Sequence, residues 1–212
     1  MEEIRFSNGS RAIPTNLEDC YIIEPAVFGD NRGYFSPYFM AEHMNQLGFE
    51  RVVQTNRSLS SKGVLRGLHF QKNPFAQAKI VEVLNGKAID VVVDMRLGSP
   101  TYGKSTEVLL MPYNKDIPES GRQLFVPRGF AHGFISLEDN TLFQYIIDND
   151  YAPKMEDGIL WNDKSLDIPW YDMFKEHGLT EEDILLSEKD QIRLPLKDKE
   201  PIFTYNKVPK QM

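Results

Sequence analysis

The stretch Ile80-Val81-Glu82-Val83-Leu84-Asn85-Gly86-Lys87-Ala88-Ile89-Asp90-Val91-Val92-Val93-Asp94 decides the fold class. Its two apolar runs, Ile80–Leu84 and Ala88–Asp94, are short and rich in β-branched residues, as strands are. Asn85-Gly86 between them is a turn signal. The second run alternates in part and then becomes continuously apolar at Val91-Val92-Val93, which marks an interior strand. Runs of the same kind recur at Gln123–Val126, Phe134–Leu137 and Thr141–Ile147, punctuated by Gly98-Ser99-Pro100 and Glu138-Asp139-Asn140. Many short strands with frequent turns predict an antiparallel sandwich or barrel, not an alternating βα fold.

Helix is scarce. Phe39 to Leu47 places Met40, Met44 and Leu47 at helical spacing, with Gly48 as a cap. Thr180-Glu181-Glu182-Asp183 reads as a helix start with acidic residues in its first turn, ahead of Ile184-Leu185-Leu186. From about Asp148 the chain carries both tryptophans and several prolines, and predicts an irregular wrap over the barrel plus a short helix. The expected organisation is one domain over residues 1–212, with the barrel over about 17–150 and the wrap over 151–212. The last residues, Lys197 to Met212, have mixed charge and are expected to be partly loose.

Composition narrows the function classes. Of 212 residues, 41% are hydrophobic and 26% charged, as in an ordinary soluble protein. No apolar run approaches the roughly 18 residues of a membrane helix, and a secretory signal is not expected, because no apolar stretch follows a basic start after Met-Glu-Glu. The single cysteine, Cys20, forms no internal disulfide, reads as a small buried apolar residue, and fits a reducing cytoplasm. A net charge of −7 without a Lys/Arg cluster argues against a nucleic-acid partner, whose phosphates demand a basic face. An anionic small molecule stays open, because a few local arginines suffice to hold it.

Two stretches carry chemistry. In Gly63-Val64-Leu65-Arg66-Gly67-Leu68-His69-Phe70-Gln71, a regular strand would put Arg66 and His69 on opposite faces. Both can line one pocket only if Gly67 introduces a bulge or twist. In Val126-Pro127-Arg128-Gly129-Phe130-Ala131-His132-Gly133-Phe134, a Pro/Gly turn precedes a histidine on the next strand. The pattern Pro-x-Gly-x-x-His is common in cupin barrels, where that histidine points inward. Metal-binding cupins begin their ligand set with His-x-His, whereas this chain reads His69-Phe70-Gln71. Two histidines, His69 and His132, are poor support for a metal site, so a metal-free barrel is expected.

Taken together these motifs resemble one family. Asp30-Asn31-Arg32-Gly33-Tyr34-Phe35, Gly63–Gln71, Ala76-Gln77-Ala78-Lys79, Asp94-Met95-Arg96 with Ser99-Pro100-Thr101-Tyr102-Gly103, Pro127–Phe134 and Leu186-Ser187-Glu188-Lys189-Asp190 occur in the order found in the dTDP-4-dehydrorhamnose 3,5-epimerases. The resemblance is collinear from about Tyr21 to Asp190. It implies a mainly β fold, a cupin-type jelly-roll antiparallel barrel with a few short, mostly C-terminal helices. It implies no cofactor and no metal, a dTDP-linked 4-keto-6-deoxyhexose as substrate, no membrane partner, and a homodimer that exchanges N-terminal strands. Inversion beside a ketone needs a proton to leave one face and return from the other. On the matching positions the resemblance makes His69 the base, Asp190 its partner, Lys79 the group facing the enolate oxygen and Tyr145 the acid. It assigns Arg32, Gln54, Asn56, Arg66, His132 and Glu156 to substrate binding.

The match departs at Ser36-Pro37-Tyr38, where many members carry a glutamate, which leaves the choice of nucleotide base open. Ile117–Gly121 looks like an insertion, and the segment before Leu17 is longer than the family minimum. Three other readings follow from the same residues: a single-site epimerase or ketoisomerase of a related sugar nucleotide, a non-catalytic sugar-nucleotide binder, and a metal-dependent cupin oxygenase.

Overall fold

The structure is a computed structural model that describes residues 1–206. Two antiparallel sheets face each other. The larger has seven strands in the spatial order β1 (Ile4–Arg5), β2 (Arg11–Pro14), β3 (Tyr21–Glu24), β12 (Gln123–Val126), β8 (Lys79–Asn85), β14 (Thr141–Ile147) and β6 (Gln54–Ser60). The smaller has five, in the order β11 (Ser105–Leu110), β9 (Ala88–Asp94), β13 (Phe130–Ser136), β7 (Leu65–Gln71) and β15 (Glu156–Gly158). Two ribbons complete the strands: the hairpin β4 (Phe28–Asp30) with β5 (Gly33–Phe35), and the parallel pair β10 (Arg96–Leu97) with β16 (Phe203–Thr204). This is the expected jelly-roll barrel. The sheets reach beyond residues 17–150 at both ends, through β1 and β2 and through β15.

Three layers of apolar side chains explain the strand patterns. Between the sheets lie Val81, Val83, Val92, Leu124, Val126 and Phe130. There Phe134 of one sheet stacks on Phe143 of the other, with centroids 4.0 Å apart. Each such fully buried phenylalanine contributes about 1.5–3 kcal/mol. The outer face of the smaller sheet presents Leu68, Phe70, Ile89, Val91 and Val93, and the C-terminal wrap covers it with Trp170 and Phe174 of α2 (Trp170–Glu176), Leu196 and Phe203. The β9 strand is therefore buried at every residue, with one face in the barrel and one under the wrap. That is why Val91–Val93 is continuously apolar. The outer face of the larger sheet is covered in part by α1 (Ala41–Leu47), whose Met44 and Leu47 pack beside Ile80, Phe125 and Ile146. Gly48 ends α1 in the left-handed region, as expected.

Three expectations need correction. The Thr180 capping box exists, but it opens only a single 3-10 turn, Glu181–Asp183. Ile184–Leu186 is extended instead, because Leu185 bridges to Val64 and exchanges backbone hydrogen bonds with Gly63 and Leu65. The strand read at Phe134–Leu137 begins earlier, at Phe130, directly after the Pro127–Gly129 turn. The tail from Lys197 to Asn206 is anchored, with Phe203 buried against Phe70 and the Tyr205 hydroxyl donating to Glu18. The rest of the expected loose tail, residues 207–212, lies outside the described residues.

One glycine fixes the barrel's geometry beside the cavity. Gly67 has φ +126°, and a Cβ there would stand 2.5 Å from the Gly133 Cα on the neighbouring strand. Gly67→Ala is expected to cost about 2–4 kcal/mol, the sum of overpacking and an unfavourable backbone region. A urea titration should show a lower midpoint with an unchanged slope. An unmoved midpoint would mean that β7 and β13 separate without cost.

Candidate active site

The smaller sheet supplies the histidines. His69 on β7 and His132 on β13 are direct cross-strand neighbours, both reaching the space between the sheets. One step further along, Phe134 faces Arg66, so residues 66–69 run beside only three residues of β13. This bulge around Gly67 puts Arg66 and His69 into the same cavity despite their odd spacing, which is the condition the sequence set.

Each histidine spends one ring nitrogen on a carboxylate. His69 Nε2 lies 2.5 Å from Asp190 Oδ1, and Asp190 is buried. Burial works to raise the Asp190 carboxyl. Hydrogen bonds from His69 and Ser187 overcome that penalty and leave it below its ordinary value. An ionised Asp190 accepts Nε2–H, which leaves Nδ1 of the neutral ring as its basic nitrogen. His132 Nε2 lies 2.7 Å from Asp90 Oδ2 on β9. Burial lowers the His132 pKa, with the Asp90 charge opposing, so His132 is neutral at pH 7.

The larger sheet supplies the facing groups. Tyr145 on β14 pairs with Val81 and Asn56, and Ile147 pairs with Lys79 and Gln54. Strand alternation then sets Lys79, Tyr145, Gln54 and Asn56 on one face, and all four line the cavity. Gln54 Nε2 donates to Asn56 Oδ1 at 2.5 Å. Burial raises the Tyr145 phenol above its ordinary value, helped by the Glu156 charge, so it stays protonated at neutral pH. Glu156 on β15 forms an ion pair with Lys189 and accepts from the Tyr151 hydroxyl at 3.0 Å. The cavity is about 470 Å³, within the range of small-molecule sites.

Desolvation lowers the Lys79 ammonium to about 8, against the pull of Asp90 and Glu156. If Lys79 stabilises a developing negative charge, the role the resemblance implies, it must be charged to act. kcat/KM is therefore expected to fall as pH rises through about 8. Lys79→Arg, whose guanidinium stays charged, should lose that alkaline fall even if its rate is lower. An unchanged alkaline limb in Lys79→Arg would assign the titration to another group.

Of the ten residues singled out in the sequence, the cavity gathers His69, Lys79, Tyr145, Asp190, Gln54, Asn56, Arg66, His132 and Glu156. Arg32 stands elsewhere. It sits at the tip of the β4–β5 hairpin, exposed, with its guanidinium 2.6 Å from Asp30. The sequence reading missed Asp90, Tyr151 and Ser187. Asp90 had a signal, because a carboxylate inside a buried strand requires a partner. Among the described residues no group of three or more His, Cys, Asp or Glu side chains is arranged to hold a metal ion. No helix among them is long and apolar enough to cross a membrane.

A barrel interior that opposes a histidine–carboxylate pair to a phenol, with a lysine beside them, is equipped to move protons at carbon, as an isomerase of the cupin-type jelly-roll class must. The family model of dTDP-4-dehydrorhamnose 3,5-epimerase matches residues 14–198. The dTDP-4-dehydrorhamnose 3,5-epimerase of Shigella flexneri is 47% identical over 165 residues, covering 74% of this chain and 85% of its own. The crystal structure of the enzyme of that name from Elizabethkingia anophelis NUHP1 superposes with a TM-score of 0.80 at 44% identity, covering 90% of this chain and 98% of its own. A dTDP-6-deoxy-D-glucose-3,5-epimerase from Legionella pneumophila Philadelphia 1, crystallised with dTDP-4-keto-L-rhamnose, gives a TM-score of 0.80 at 39% identity, covering 93% and 99%. The chain belongs to the dTDP-4-dehydrorhamnose 3,5-epimerase family.

Proposed function

We propose that the chain converts dTDP-4-keto-6-deoxy-D-glucose to dTDP-4-dehydro-L-rhamnose by inverting C3 and C5. The observation that carries the reading is the placement of His69 and Tyr145 on opposing sheets around one cavity. His69 Nδ1 takes the proton beside the ketone, and the imidazolium is held by Asp190. The Lys79 ammonium stabilises the enolate oxygen. Tyr145 returns a proton to the opposite face. His69 then loses its proton to water, Tyr145 regains one, and the second carbon follows. Each proton move has a side chain, so the reading needs no cofactor. Arg66, Gln54, Asn56, His132 and Glu156 bind the sugar nucleotide, with Arg66 near its phosphates.

A homodimer fits the remaining observation. The hairpin that carries Arg32 also exposes Phe28, Tyr34 and Phe35, at 55%, 55% and 66% of their surface. Three aromatics exposed on one ribbon mark a surface meant to be covered. In a symmetric pair the hairpin of each copy would reach the other copy and bring Arg32 to its nucleotide. We infer a cytoplasmic location as part of the same reading, because the proposed substrate is a nucleotide-linked sugar.

Proton NMR of the reaction in D₂O tests the reading. Deuterium is expected at both carbons flanking the ketone, with the L-configured product. Incorporation at one carbon alone would make the chain a single-site epimerase. No incorporation by the folded protein would leave it a sugar-nucleotide binder.

A further inference from the structure

The base and its carboxylate have a third member on the page. Ser187 immediately precedes the one-turn helix α3 (Glu188–Gln191) that carries Asp190. A serine at that position ordinarily turns its hydroxyl onto a free backbone N–H of the first turn. Ser187 makes no such cap. The Asp190 N–H bonds the Ser187 carbonyl instead, at 3.0 Å. The freed hydroxyl donates to Asp190 Oδ2 at 2.8 Å, while Oδ1 takes His69 Nε2 at 2.5 Å. The carboxylate is thus held at both oxygens, one by the base and one by the serine. With only the His69 bond, it could turn about its own axis and present either oxygen, or neither, to the ring.

We propose that Ser187 is a positioning residue, which locks the Asp190 carboxylate so that His69 stays in its Nε2–H tautomer with Nδ1 free to take the substrate proton. The proposal rests on the base role assigned to His69 above. Ser187 also lines the cavity, so a direct contact with substrate is the rival explanation and the test must separate the two. Other donors do not replace it. Lys189, the other α3 residue at the cavity, is engaged by Glu156. Among the described residues only His69 and Ser187 donate hydrogen bonds to the Asp190 carboxylate.

The test uses the intact enzyme and two readouts. In the substrate-free protein, ¹⁵N-edited NMR of the His69 ring reports the tautomer. In turnover, kcat and KM are measured separately. The wild type should show one tautomer, protonated at Nε2. Ser187→Ala should show mixed tautomers and a kcat lower by about tenfold, the scale of one lost hydrogen bond to a charged group, with KM unchanged. Ser187→Thr, which keeps the hydroxyl, should restore both. A single Nε2–H tautomer in Ser187→Ala overturns the proposal. So does a rise in KM with kcat intact, which assigns Ser187 to substrate contact, and so does failure of Thr to rescue a folded enzyme. If turnover by the wild type proves independent of His69, the functional reading falls, while the substrate-free tautomer still decides what Ser187 does.

Discussion

His69→Ala is expected to lower kcat by about 10²- to 10⁴-fold, the range that a positioned general base supplies. Deuterium incorporation from D₂O should fall at both carbons together, because the same nitrogen starts both inversions. The loss should sit in kcat, not KM, since Arg66, Gln54 and Asn56, the proposed binding residues, are unchanged. A second consequence separates this variant from a binding defect. Without His69, Asp190 remains buried with one fewer donor, and part of what holds its pKa down is gone. A carboxyl with a depressed folded pKa adds stability that is present above its unfolded pKa of about 3.9 and lost as pH falls through the folded value. The variant should therefore be less stable than the wild type at pH 7, with the gap closing below about pH 4. Chemical denaturation at the two pH values measures this. Full turnover in a folded His69→Ala protein would sink the base assignment.

The barrel was legible because its central strands satisfy a local rule and a global one together. The runs Ala88–Asp94, Gln123–Val126 and Thr141–Ile147 coincide with β9, β12 and β14, since each is apolar over one short stretch and ends at a turn signal. The pieces that escaped depend on contacts distant in sequence. Nothing local in Phe203 or Tyr205 shows that the tail is anchored. The anchor is Arg96, whose guanidinium lies 4.7 Å from the Phe130 ring and 4.8 Å from the Tyr205 ring. Arg96 is itself held by Asp94 at 2.9 Å and Asp19 at 2.9 Å. The site divides along the same line. His69, Lys79 and Tyr145 are strand residues whose inward direction follows from alternation once the bulge at Gly67 is allowed. Asp190 comes from a four-residue helix brought to the cavity by the backbone contacts of Leu185 with Gly63 and Leu65, by the Lys189–Glu156 ion pair and by its own bond to His69. Family resemblance was needed for Asp190, whereas Asp90 could have been found from burial alone.

Tyr145→Phe is expected to uncouple the two halves of the reaction. The Tyr145 hydroxyl has no hydrogen-bond partner among the described residues, and the ring packs against the barrel core. Its loss strands no buried group, so stability should change by less than about 1 kcal/mol. The phenol's raised pKa keeps it a proton donor across the working range, and a phenylalanine in its place can give no proton at all. His69 is untouched and can still remove the proton beside the ketone. It can then return a proton only to the face it came from, after exchange with solvent. Epimerisation should fall by about 10²- to 10⁴-fold, while deuterium continues to enter the starting sugar with its configuration retained. Exchange without inversion is an outcome that neither misfolding nor weak binding produces. It is read from the same NMR experiment by following substrate signals in place of product signals. Two results would overturn the assignment. Inversion at the wild-type rate would mean that water or another group supplies the second face. Equal loss of exchange and inversion in a folded protein would mean that Tyr145 is needed for proton removal, and that the two sheets do not divide the work between them.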